Sequence, residues 1–499
     1  MWIGMVKDCT NSIIQVNVCG FKMGIFIQVI STIAACYLCM TIGVIFTWPS
    51  CTLKIFESGN TTLHRPMTET ELALFGSLSS IGALTSTPFT GYMLDIVGRK
   101  SCIIVASLTQ VIAWAMIAAS SQVEVVLTAV FMSGVGGSGF LIVPMLTSEI
   151  CQESIRGSMT AGMMIFYAFG MLVSYVLGGL LEYKMMVYVC LSMSVLGVVL
   201  LSIIRETPLY YMKKGMEEEA AKSFAYYRHA AVDSKVVLEE MNALRRAFNP
   251  IIEEDELSPE EQKLKPELKD TEQKEEKERL SLFNFIKKSQ STRKAIVVSL
   301  VLMTASLFQG LVVVQVYAEP LFEEAVPNMS PTVCSVLLAI VTVVFGFLGA
   351  YLTDIIGRRP LIIYSSIAAM VCCVILGSQL HLSWAPHWVT AVAIYMFAIT
   401  YTLGGGTVPY VFTAEIFLPE VKSFMTMMVV EWAWFCNFVI LFIFTPLVSA
   451  IGLGPVFYLF AGVCLFTSIY SIFYLPETNG LPVDVIQGLF LKRQRAQKY

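Results

Sequence analysis

The sequence predicts an all-α membrane protein in which twelve transmembrane helices form two pseudo-symmetric six-helix bundles, with short cytoplasmic helices between them. Three observations lead to this fold class. Of 499 residues, 56% are hydrophobic and only 14% are charged, with a mean hydropathy of +0.70, which is more apolar surface than a water-soluble core could cover. Twelve segments are apolar over a membrane-spanning length. A set of charged and glycine-containing signals also recurs, in one order, in both halves of the chain.

Hydrocarbon offers no hydrogen-bond partners, so a spanning segment must satisfy its own backbone, and about 20 helical residues are needed to cross a core of about 30 Å. The first half places spans at 26–48, 72–94, 102–120, 125–147, 159–181 and 186–204. The second places them at 295–317, 333–353, 360–380, 388–412, 424–448 and 456–475. The residues before 26 lack the basic, then apolar, then small-residue order of a cleavable leader, so the first run is read as a true span. The organisation is then 1–205 for the first half, 206–294 for a polar connection, 295–480 for the second half and 481–499 for a tail.

Orientation follows from where the cations fall, because loops rich in Lys and Arg stay in the cytoplasm. Arg99, Lys100, Arg156, Arg358, Arg359 and Lys422 lie in even-numbered loops, and Lys492, Arg493, Arg495 and Lys498 lie in the tail. Both termini are therefore expected in the cytoplasm of a multi-pass protein, with the plasma membrane as its site. The opposite loops are poor in cations, include the acidic Glu319, Glu323 and Glu324, and carry glycosylation sequons at Asn60 and Asn328, the latter followed by Pro331.

The connection changes composition abruptly. Residues 216–230 and 232–248 combine helix formers with apolar positions at helical spacing, which predicts amphipathic helices beneath the bundle. Residues 252–278 are dense in Glu and Lys, too polar to bury anything, and are expected to be disordered. The segment 206–294 is a solvated linker that also offers a surface to cytoplasmic regulators. The 13 Cys residues have no metal-ligand spacing and read as small apolar filling. No nucleophile with a base and no phosphate-cradling loop is present, and the glycine clusters at 134–139 and 404–406 fall inside spans, so no enzyme, metal, cofactor or nucleic-acid partner is expected.

The repeat carries the chemistry. Gly91-x-x-x-Asp95-x-x-Gly98-Arg99-Lys100 closes span two, and Ala350-x-x-x-Asp354-x-x-Gly357-Arg358-Arg359 closes span eight, its counterpart. Glu149 and Arg156 after span four match Glu415 and Lys422 after span ten, and Glu206-Thr207 after span six matches Glu477-Thr478 after span twelve. Glycine permits a tight turn and close helix approach, while Asp, Glu and Arg supply charged contacts. Pairs formed across the two halves would latch the cytoplasmic side shut and separate when it opens.

These motifs, with Gly310 and Tyr317, Gly404 to Pro409, Trp434-x-x-Asn437-Phe438 and Pro476-Glu477-Thr478-Asn479-Gly480, resemble the sugar porter family of the major facilitator superfamily over nearly the whole chain. Within it the chain looks most like the insect-type facilitated trehalose and hexose transporters. The resemblance implies the major facilitator fold and facilitative transport of a sugar by alternating access. It implies a substrate site built from Ser306, Gln309, Tyr317, Thr407, Tyr410, Trp434 and Asn437, and a cytoplasmic charge network of Asp95, Arg99, Glu149, Arg156, Glu206, Asp354, Arg358, Glu415, Lys422 and Glu477. The chain departs from the family pattern at the sugar-binding positions. Span seven reads Ser306-Leu307-Phe308-Gln309-Gly310-Leu311-Val312 where an amide pair and further polar residues are usual, Met164 stands near the usual span-five Gln, and Tyr410 replaces the Trp after Pro409. Val130 and Leu209 stand where the family carries Arg. Asn437 serves either as a ligand or as an amide joining helices, and Trp434 and Tyr317 either as ligands or as packing.

Proton-coupled relatives carry an acid in span one, and 26–48 has none, which favours passive transport. Glu431, about two turns into span eleven, must be hydrated, hydrogen-bonded or protonated, or else it couples transport to a proton or cation. A coupled carrier of another small organic solute and a non-transporting, sugar-sensor-like protein are the competing expectations.

Overall fold

The computed structural model describes residues 2–59, 61–248, 289–417, 419–479, 481 and 485–490. For 2–22, 153–154, 156–158, 161, 243, 246–248, 354, 414 and 419–423 only the backbone is described. Twelve helices are long and apolar enough to cross a bilayer, and no strand occurs among the described residues. They are Met23–Glu57, Glu69–Val97, Arg99–Ala119, Val123–Ile150, Gly162–Leu180 and Tyr183–Ile203, then Gln290–Val316, Pro331–Thr353, Arg358–Leu382, His387–Thr413, Phe424–Ile451 and Leu453–Tyr474. Each coincides with a span expected from hydropathy, and several run on as helix beyond the apolar stretch.

Packing repeats between the halves. Span one lies along span five and span seven along span eleven; span three pairs with span six and span nine with span twelve. The halves meet where span two packs on span eleven and span five on span eight, two contacts that the repeat exchanges. Between helices in lipid the attraction is van der Waals contact, which rewards small residues. A Cβ on Gly43 would overlap the Tyr167 carbonyl, and one on Gly170 would overlap that of Met40, so glycine is what lets spans one and five touch along their backbones.

Three spans are irregular, two at the glycine clusters noted above and one at Gly310. Span four tightens into a 3₁₀ turn at Gly136–Ser138, and span ten widens into a π-helix at Tyr401–Gly405. Span seven breaks at Gly310, whose φ of 98° suits glycine and whose Cβ would stand 2.5 Å from the Phe460 ring.

Beneath the first half lie Pro208–Lys213, Glu217–Arg228 and Lys235–Phe248. The second and third match the amphipathic pattern. The first was not foreseen, although Thr207 as N-cap with Pro208 at the first helical position signals it. Gln28 bonds the Tyr227 carbonyl at 3.0 Å and the Gln152 amide at 3.0 Å, and Arg228 bonds the Ile150 carbonyl at 2.9 Å and Glu240 at 2.7 Å. These contacts fasten the short helices to spans one and four. The expected disordered stretch at 252–278 lies outside the described residues.

Candidate functional site

Each half builds the same charged cluster at the membrane face that carries its Gly-Arg loop, the signature face. The first amides of a helix have no partner within it, and the helix end is electropositive, so a carboxylate placed there satisfies both. Glu206 accepts the amides of Arg99 and Lys100 at 3.0 Å each and that of Thr207 at 2.9 Å, seating itself on the start of span three. Glu477 accepts those of Arg358 at 3.0 Å and Arg359 at 3.1 Å, seating itself on the start of span nine. Gly98 and Gly357, with φ of 101° and 95°, turn the chain into these helices, and a side chain on either would press into the carboxylate. Burial pushes the Glu206 carboxyl above its ordinary value, against the pull of the three amides and Arg99.

The arginine side chains turn inward. Arg99, 1% exposed, reaches Glu149 at 3.0 Å, the Leu94 carbonyl at 3.0 Å and Asp95 at 3.3 Å. Arg358 reaches Glu415 at 2.7 Å, the Thr353 carbonyl at 3.1 Å and Asn479 at 2.6 Å. Lys213, which the sequence did not single out, pairs with Asp95 at 2.8 Å, and Thr478 of the repeated Glu-Thr motif donates its hydroxyl to Glu415 at 2.8 Å. Among the described residues, every ion pair in these clusters stays inside one half. Each of Arg99 and Arg358 is anchored in the first turn of its own span, beside the ends of its own neighbours. The side chains of Arg156, Asp354 and Lys422, and all of Asn60, lie outside what is described.

The seam between the halves has a different character. Span eleven turns Met427, Glu431 and Trp434, spaced i, i+4 and i+7, towards the first half. Met427 meets Gly91 of span two, and the Trp434 ring lies 5.6 Å from Phe46 and 5.8 Å from Phe140, which in turn sits 5.3 Å from Tyr167. On this helix Thr426 Oγ1, Glu431 Oε1, Trp434 Nε1 and Asn437 Oδ1 are buried with no hydrogen-bond partner. Such an atom costs about 1–3 kcal/mol. Four on one helix leave it with bonding capacity to offer a solute or water.

The other residues expected from sequence divide in two. Tyr317 faces span eleven, donating to the Leu441 carbonyl at 3.2 Å and stacking 5.2 Å from Phe444, and its hydroxyl fills the space a side chain at Gly76 would take. Tyr410 is 37% exposed, with Tyr167 and Tyr401 as phenolic neighbours. Ser306, Gln309 and Thr407 are bonded within the second half. Ser306 donates to the Gly405 carbonyl at 2.6 Å, Gln309 to Thr467 at 3.0 Å and Ser366 at 3.3 Å, and Thr407 to the Thr402 carbonyl at 2.7 Å. Phe46, Phe140 and Tyr167 were missed, since nothing in their spacing separates them from aromatics that face lipid.

The family model described as sugar (and other) transporter matches residues 24–490. The chain belongs to this transporter family. It is 23% identical over 481 residues to the facilitated trehalose transporter Tret1 of Culex quinquefasciatus, covering 94% of this chain and 87% of that one. To the facilitated trehalose transporter Tret1-1 of Drosophila simulans it is 25% identical over 482 residues, covering 94% of this chain and 52% of that one, so it spans about half the length of that relative. The inward open xylose transporter XylE from E. coli superposes with a TM-score of 0.73 at 16% identity, covering 92% of this chain and 98% of that one, so the two share a fold.

Like the other members of its family, the chain must part its halves to carry a solute, and the contacts to be parted lie at the face opposite the signature face. There Lys54 pairs with Glu323, Ser50 accepts the Glu319 amide at 2.9 Å, and the Tyr175 hydroxyl donates to the Gln315 carbonyl, all between the halves. Burial pushes the Glu319 carboxyl above its ordinary value; bonds from Thr332 and Cys51 and the charge of Lys54 lower it, and Glu323 raises it. Opening hydrates this carboxyl and returns it towards the ordinary range, so protonation favours the closed gate. The gain is present in acid and is lost as pH rises through the raised value. Labelling of Cys51 by an impermeant maleimide from that side, corrected for thiol ionisation, is therefore expected to match that of Glu319→Gln protein in acid and to become faster than it as pH rises, because the variant stays neutral and keeps a flatter pH dependence. Identical pH profiles for the two proteins would refute this.

Proposed function

We propose that the chain carries a sugar of the hexose or trehalose class down its gradient, its two halves rocking about the Trp434 seam. The observation that carries this reading is the set of unpartnered polar atoms on span eleven opposite Phe46, Phe140 and Tyr167. A sugar needs hydrogen-bond partners for its hydroxyls and an aromatic face for its C–H side, and this seam offers both. Trp434 and Asn437 contact the solute, with Tyr410 and Tyr317 beside them. Ser306, Gln309 and Thr407 position spans seven and ten. The charge clusters, completed by Arg156, Asp354 and Lys422, brace the signature face, which is the cytoplasmic one. Both termini then lie in the cytoplasm, Asn60 is a glycan acceptor on the outer side of the plasma membrane, and the helices of 206–294 offer a surface to regulators. Absence of an acid within 26–48 supports passive flux.

Uptake of labelled glucose and trehalose into proteoliposomes tests this. Saturable uptake of at least one, indifferent to an imposed pH gradient and lowered about 3- to 10-fold by Asn437→Ala, as loss of a hydrogen bond to the solute predicts, is the expected result. Uptake of neither sugar, or uptake that requires the gradient, would overturn it.

A further inference from the structure

We infer that Glu431 is a specificity-determining contact that favours a sugar carrying a protonated amine over its neutral counterpart; this rests on reading the seam as the solute site. The helical stripe places Glu431 between Met427 and Trp434, both of which touch the first half, so its carboxylate faces the same seam. One of its oxygens is buried without a partner, and among the described residues no Lys or Arg pairs with it. A carboxylate within a span is costly unless something compensates its charge, and the protein supplies no cation here. The Trp434 indole lies one turn away on the same helix, and that ring in turn meets Phe46 and Phe140 of the first half.

A carboxylate beside aromatic faces suits an ammonium group, which pairs with the first and is attracted to the second. A hydroxyl at the same point donates one hydrogen bond and brings no charge. The contact also compensates for what is missing elsewhere. Met164 offers no amide in span five, and the Gln309 amide nitrogen is engaged with Thr467 and Ser366, leaving its Oε1 alone unpartnered there, so recognition leans on span eleven.

Glucosamine and glucose, identical but for an amine in place of one hydroxyl, are the probes. Their dissociation constants for the purified full-length protein follow from thermal shift at a pH where the amine is protonated. Glucosamine is expected to bind about tenfold tighter, as a charge-assisted contact replaces a neutral one. Glu431→Gln should bring the two sugars to similar affinity, and Glu431→Asp, which keeps the charge, should retain part of the preference. Equal binding by the wild type, or a preference that survives in Glu431→Gln, would overturn the inference. Binding of neither sugar would instead refute the seam as a sugar site.

Discussion

Trp434→Ala is expected to lower sugar uptake by at least about tenfold in protein that still inserts and folds. Truncating a buried aromatic costs about 3–5 kcal/mol, and diverting only about 1.4 kcal/mol of that to the bound state gives the tenfold loss. The ring is the piece of the second half that enters the aromatic cluster of the first, within 6 Å of Phe46 and Phe140. Trp434→Phe keeps the face and loses the Nε1 donor, so it should fall between. The neighbouring Trp432 supplies the contrast. It is 40% exposed and donates to Thr304 at 2.7 Å on the same half, so Trp432→Ala should transport nearly as well as the unaltered chain. Equal loss in both variants would show that the bundle, rather than the seam, had been damaged.

The second large effect is on stability. Arg99→Leu removes the guanidinium from a site where Arg99 is 1% and Glu149 9% exposed, leaving a carboxylate buried beside apolar helix ends. Breaking such a pair costs about 3–5 kcal/mol, whereas replacing both partners by apolar residues is often neutral. Arg99→Leu protein should therefore melt well below the unaltered chain in detergent, and Arg99→Leu with Glu149→Leu should recover most of the difference. Arg358→Leu should be milder because Glu415 is 28% exposed and so is partly hydrated once the guanidinium is gone. A double variant no more stable than the single one would argue that Arg99 acts through its other contacts, to Leu94 and Asp95.

The spans were legible because hydropathy over twenty residues reports a solvent rather than a neighbour. The recurrence of Gly98-Arg99 with Glu206, and of Gly357-Arg358 with Glu477, was legible as a repeat. That the two motifs of each half form one object was not, because the carboxylate that caps span three comes from more than a hundred residues away. The seam was half legible. Trp434 and Asn437 stood out by motif and Glu431 by charge, whereas Phe46, Phe140 and Tyr167 are ordinary apolar residues of spans until the halves are brought together. Ser306 and Gln309 mark the converse. A polar residue in a span invites a ligand reading, yet an amide between three helices is also the means of joining them, and only the positions of Ser366 and Thr467 decide.

Among the described residues the ion pairs of the signature face each stay within one half, and this bears on how the molecule turns over. Rocking one half against the other leaves both dehydrated arginine pairs intact, and the surfaces that slide are thioether, aromatic and glycine. The barrier to reorientation is then one of wetting and repacking oily contacts. Its hallmark is a curved response to temperature, and what response there is to added salt belongs to the exposed Lys54–Glu323 pair of the opposite face rather than to the arginine clusters.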